Sequence, residues 1–227
     1  MSRLAPMTDE DRTRVAAAAS AAEGATSGEI VTVLAARSDD YDDVALVWSA
    51  LVALGALLVA AAAPDFIIGL YDRITGGWAE HWAPGRVFGA AALIAALKFA
   101  ATWAILLYRP LRLALVPAPI RYARVHSRAI AAFRMGAERR TTGRTGILIY
   151  LSLAEHRAEI LADEAIAAKV PAEVWGEALA AMLADLKQGR MADGLIAAVE
   201  RVGAVLAQHL PREAGDINEL PDRLIEV

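Results

Sequence analysis

The chain has 227 residues, a formal net charge of −4, no cysteine, and 57% hydrophobic residues at a mean hydropathy of +0.39. Without cysteine there can be no disulfide, thiolate catalysis or Cys-ligated metal, and the negative balance argues against a nucleic-acid partner. So apolar a composition predicts membrane spans within a chain long enough for one further domain.

The first residues, MSRLAPMTDEDRTR, place no apolar core beside their basic residues, so no cleavable signal peptide is expected and insertion falls to the first span. Thr8 followed by Asp9, Glu10 and Asp11 reads as a helix start, with a hydroxyl cap and acids at the positive end of the helix dipole. The Ala-rich helix runs to Glu23 and stops at Gly24. Thr26-Ser27-Gly28 then turns the chain into a strand, Glu29 to Ala36.

Four aspartates follow within Arg37 to Asp43. They lack the Gly and Glu positions of a calcium-binding EF-hand loop, so they read as a solvated acidic cap on the next helix. Val44 to Ala63 is uncharged and about 20 residues long, enough to cross ~30 Å of hydrocarbon. Pro64-Asp65 ends it, and Phe66 to Tyr71 sits at the far interface or extends the span. Trp78 and Trp82 suit the headgroup level, and Val87 to Tyr108 is a second span. Lys98, near its middle, is a costly intramembrane charge. It either snorkels or faces a partner helix; Asp65, at the end of the first span, lies at a different depth.

The second span is followed by Arg109, Arg112, Arg121, Arg124, Arg128, Arg134, Arg139, Arg140 and Arg144 against one acid, Glu138. The loop between the spans carries only Arg73 and Arg86. The positive-inside rule therefore predicts a multi-pass protein of the inner (plasma) membrane with both termini cytoplasmic. The basic run suits anionic lipid rather than RNA, because few aromatic residues interleave it. Ile120 to Arg140 can form an amphipathic helix.

Thr141 to Asp163 organises the rest. Gly146 to Leu153 is apolar on both faces, like a strand covered by helices on both sides. A turn at Ala154-Glu155-His156 leads into a second strand, Arg157 to Asp163. Such a pair needs a third strand, and the candidate is Glu29 to Ala36. One α/β domain is thus split by a membrane hairpin: residues 1–43 form its first part, 44–108 the hairpin, 109–210 the second part, and 211–227 a polar tail. Helices are expected at Glu164 to Val170, Ala172 to Lys187 and Met191 to Leu210, the last two with apolar residues at helical spacing.

The segments SGEIVTVLAARSDDY, RTGILIYLSLAEHRAEILAD and AEVWGEALAAMLADLKQGRMADGLIAAVERVGAVLAQHLP together resemble the TPM domain family. They look most like its bacterial membrane branch, in which a two-span hairpin interrupts the domain. The resemblance spans roughly Thr13 to Pro211. It implies a small mixed sheet sandwiched by helices, and relatives include a thylakoid-lumen protein assigned acid phosphatase activity. Many relatives carry Asp-Asn-Gly just before the strand that here begins at Gly146; this chain has Gly143-Arg144-Thr145-Gly146, so no phosphatase residue carries over.

Arg144, Asp163 and Glu164 lie where a family cleft would sit, although an acid at Asp163 and Glu164 equally suits a helix start. Ser152, His156 and Asp163 do not make a triad signature, for there is no G-x-S-x-G elbow. The histidines are dispersed, and neither a metal nor a cofactor is expected. The expected function is a binding or accessory module displayed at the membrane surface, whose partners are the bilayer and another membrane protein or a second copy. The alternative is a membrane-tethered hydrolase of phosphate esters.

Overall fold

The computed structural model describes residues 7–76, 84–136, 145–171, 173–212, 220 and 223–227. Arg144, Glu138, Arg139, Arg140, Trp78 and Trp82 lie outside the described residues. The chain divides into two compact units, residues 1–39 with 119–227, and residues 40–118.

The first unit begins with α1 (Asp9–Glu23). The Thr8 hydroxyl accepts from the Asp11 N–H, and the Asp11 carboxylate accepts from the Thr8 N–H, so two orphan donors are satisfied reciprocally. The hydroxyl hydrogen bond and the backbone N–H hold the Asp11 carboxyl below its ordinary range. β1 (Glu29–Ala35), β2 (Gly146–Ser152), β3 (Arg157–Ala162) and β4 (Ile225–Glu226) form one sheet in the order β3-β2-β1-β4. β1 runs parallel to β2, starting at Glu29 opposite Gly146; β2 and β3 are antiparallel, and β4 is parallel to β1. The sheet is therefore mixed, as expected.

Alternation along β2 explains its unbroken apolar run. Ile147, Ile149 and Leu151 enter one core, with Ile30 and Leu34 of β1. That core is closed by α1, α7 (Glu164–Ala167), α8 (Val174–Lys187) and α9 (Met191–His209). Leu148 and Tyr150 enter the opposite core with Val31 and Val33, covered by Val125, Ala129 and Phe133 of α6 (Ala118–Gly136). Every residue of β2 is buried, which a strand facing water on one side could not sustain. A Cβ on Gly203 would stand 2.6 Å from the Ala22 Cβ, so glycine there lets α9 approach α1 closely. Arg14 of α1 joins Asp193 of α9 at 2.5 Å, and this carboxylate raises the pKa of the guanidinium.

The stretch read as a polar tail also supplies the fourth strand. Val33 pairs with Ile225 and Leu34 with Glu226, while the Ala36 N–H donates to the Val227 carbonyl at 2.8 Å. Arg12 of α1 holds this strand through both oxygens of Glu226, at 2.7 and 3.3 Å. The backbone edge of β1 required a partner, and two residues sufficed. The helix expected over Glu164 to Val170 is shorter, ending at Ala167. Val170 precedes Pro171, whose ring disfavours helical backbone in the residue before it.

The second unit comprises α2 (Asp42–Ala62), α3 (Pro64–Thr75), α4 (Pro84–Leu106) and α5 (Arg109–Ala114). α2 and α4 pack against each other. Tyr41, at φ 56°, starts α2 from a left-handed conformation and is buried against Val44 and Val116. Arg112, only 7% exposed, pairs with Asp42. The acidic run is therefore more than a solvated cap: in this unit Asp42 neutralises a buried cation, and in the first unit Asp39 holds Arg124 at 2.8 Å. α2 and α4 are long and apolar enough to cross a membrane. Their large apolar side chains stay outside: Leu51 is 55% exposed, Leu54 59%, Leu58 67%, Leu93 59% and Leu97 60%.

Candidate functional site

β1 and β2 are parallel neighbours, so their carboxyl ends open together. In α/β sheets, ligands gather at that edge because loops diverge there. Here the edge is occupied by a chain of polar groups. Ser38 follows β1, Ser152 ends β2, and Glu155 lies in the β2–β3 turn, which His156 completes at φ 52°. The Ser38 hydroxyl donates to the Ser152 Oγ at 2.9 Å, and the Ser152 hydroxyl donates to the Glu155 carboxylate. The Ser38 backbone N–H adds two bonds to the same carboxylate, at 3.1 and 3.2 Å. Tyr150 Oη lies 3.0 Å from Ser38 Oγ. With the Ser38 proton committed to Ser152, the phenol is the donor in that contact.

The resulting direction is Tyr150 to Ser38 to Ser152 to Glu155. Each hydroxyl gives its proton along the line, and a carboxylate, an acceptor only when ionised, ends it. Ser152 and Glu155 are almost fully buried. In low dielectric such a closed chain of donors is strong and rigid. It ties the exit of β1 to the β2–β3 turn. The carboxylate at its end accepts a backbone N–H and the Ser152 hydroxyl together.

Burial raises the Tyr150 phenol above its ordinary 10.0. A raised folded value means that its stabilisation is complete below pH 10.0 and is lost as the pH climbs through the folded value. Tyr150→Phe is expected to cost about 1 kcal/mol at neutral pH through the lost hydrogen bond. That deficit should shrink above pH 10.0, and paired denaturant titrations at pH 7 and 10.5 would measure it. A constant deficit would show that burial does not raise the folded value of the phenol.

Beside this line, α6 presents further polar contacts to the same face of the sheet. His126 Nδ1 is 2.7 Å from a Glu159 carboxylate oxygen, and the Arg157 guanidinium stacks 3.6 Å from the Tyr122 ring centroid. Glu159 pairs with Tyr150 and Arg157 with Ser152 across β2–β3, so these contacts continue the same two rows.

The residues singled out in the sequence fall elsewhere. Asp163 is the N-cap residue of α7, but its side chain makes no capping bond; its carboxylate accepts from the Gly146 N–H at 3.2 Å. It is buried and fastens the start of β2. Glu164 is exposed in the first turn of α7. Both lie at the end of β2 opposite the polar line. Ser152 and Asp163 are therefore separated by about 20 Å of strand, six residues at 3.3 Å each, while His156 is exposed; the three are not brought together. Lys98 lies exposed on α4. Among the described residues, no group of three or more His, Asp or Glu could hold a metal.

The Ser38–Glu155 line was not legible in the sequence, for Ser38 is more than a hundred positions from its partners. The one local signal is a serine ending a two-sided apolar strand three residues before an acid in the turn.

A family model described as the TPM domain matches residues 119–205. The chain carries a TPM domain. The match covers α6, β2, β3, α7, α8 and much of α9. The NMR structure of the BA42 protein from the psychrophilic bacterium Bizionia argentinensis superposes with a TM-score of 0.56 at 19% identity, covering 100% of both chains. At that identity the likeness speaks for the fold alone. No curated protein matches the chain.

Proposed function

We propose that this chain is an integral membrane protein that displays its TPM domain at the bilayer surface as a binding or accessory module for a membrane partner. One observation carries the membrane part: only 17% and 6% of the most apolar windows of α2 and α4 are buried. The core helix of a water-soluble protein hides its leucines; these two helices present theirs outward. At 1.5 Å per residue they measure about 31 and 34 Å, the thickness of the hydrocarbon layer. The parallel pairing of β1 with β2 supports an even number of crossings, because the strands on either side of the hairpin share one sheet. The arginines after α4 favour the cytoplasmic side of the inner membrane.

A module role rather than an enzymatic one is favoured by the polar line. Its hydroxyls and carboxylate bond to one another and tie two turns of the sheet together, as a structural lock would.

Topology is the direct test. The chain has no cysteine of its own, so Ser20→Cys and Gln188→Cys, both at exposed positions, and Gly77→Cys can each be probed in intact cells with an impermeant thiol reagent. Labelling at position 77 alone is expected. Labelling at 20 and 188 but not 77 would reverse the orientation, and labelling at only one of 20 and 188 would overturn the hairpin.

A further inference from the structure

Lys98 lies on the flank of α4 that it shares with Ile94 and Thr102, four residues to either side. Ile94 and Thr102 are half-buried, yet the Lys98 side chain is exposed. Among the described residues it makes no hydrogen bond or ion pair. On the membrane reading above, on which this inference rests, it sits about 4.5 Å from the middle of α4, at 1.5 Å per residue. An uncompensated charge at that depth is expensive.

Two ordinary remedies fit poorly. Snorkelling needs the side chain to run towards the nearer interface. Helical side chains lean towards the N-terminus of their helix, which here is the end at Pro84. That end is 14 residues or about 21 Å away, against about 12 Å to Leu106. A second copy of the chain cannot supply the counter-charge either. There is no Asp or Glu from Val44 to Pro64 or from Pro84 to Leu106, so facing hairpins would bring lysine to apolar groups or to lysine.

We infer that Lys98 docks against the carboxylate of an Asp or Glu carried at mid-depth by a transmembrane segment of another protein. The α2–α4 hairpin is then more than an anchor. Charge pairing inside the bilayer selects the partner, since each unpaired helix would expose a costly charge to lipid.

The test uses the full chain in its native membrane. Dicyclohexylcarbodiimide enters the bilayer and condenses a carboxyl with a neighbouring amine; an amide forms, and the water removed converts the reagent to its urea. Peptide mapping is expected to find Lys98 Nζ joined to an Asp or Glu within an apolar span of a different protein. The adduct should vanish in Lys98→Leu. Co-isolation of the protein so identified should fall about 30-fold or more in Lys98→Leu, and Lys98→Arg, which keeps the charge, should retain it.

Three results would overturn the inference: no adduct from chain that is membrane-embedded, an adduct only with a second copy, or co-isolation indifferent to Lys98→Leu. Extraction of the chain by alkaline carbonate would instead overturn the membrane reading beneath it.

Discussion

Excising residues 40–118 and joining Asp39 to Pro119 through about eight Gly/Ser residues, a coil of roughly 16 Å, is expected to give a folded domain that no longer sediments with membranes. Everything the domain needs lies outside the excised segment. All four strands and the buried residues of both cores come from residues 7–35 and from positions after 119. The ends to be joined are near each other, because Asp39 holds Arg124 at 2.8 Å and Pro119 precedes Arg124 by about 7.5 Å of helix. Proline at the start of α6 is well placed, since an amide hydrogen there has no helical partner. Carbonate extraction and denaturant unfolding would check the result. The spliced chain should partition to the supernatant and unfold in one transition with a stability of roughly 5–15 kcal/mol. A spliced chain that is soluble but unfolded would mean that the domain borrows stability from the hairpin.

The sequence revealed the sheet well where the physics is local. β2 was legible because burial on two faces forces an unbroken apolar run, and β1 because a strand pair needs a third member. That requirement said nothing of their register, Glu29 opposite Gly146, which comes from the structure. α1 was legible to the residue, since Thr8 and Asp11 cap it with bonds only three positions apart. β4 was not legible. Two residues cannot display a period, and their partner stands about 190 positions upstream. The acidic run was half legible. Its chemistry suited a helix start, but which arginine each aspartate would hold depends on how the chain folds back. Asp163 shows the limit most plainly: its place before α7 was correct, while its carboxylate serves the first N–H of β2 instead.

Glu155→Ala is expected to destabilise the domain by about 3–4 kcal/mol, whereas Ser152→Ala should cost only about 1 kcal/mol. The asymmetry follows from the direction of the line. Glu155 terminates it and accepts from the Ser38 N–H and the Ser152 hydroxyl, so its loss strands two donors around a buried site. Bonds to an ionised acceptor are also the stronger kind. Ser152 sits mid-line; without its hydroxyl, Ser38 can turn towards Glu155, whose carboxylate still accepts the Ser38 N–H. Thermal unfolding of the spliced domain should read the larger loss as about 10 °C, at roughly 2–4 °C per kcal/mol for a domain of this size. Glu155→Gln should fall between the two, since an amide keeps one acceptor but brings two donors to groups that are themselves donors. The order of the three variants separates a structural lock from a nucleophile with its base. In a catalytic pair Ser152→Ala would leave stability near the parent while removing turnover. If Ser152→Ala instead costs as much as Glu155→Ala, the serine anchors this edge of the sheet through contacts other than its proton to Glu155.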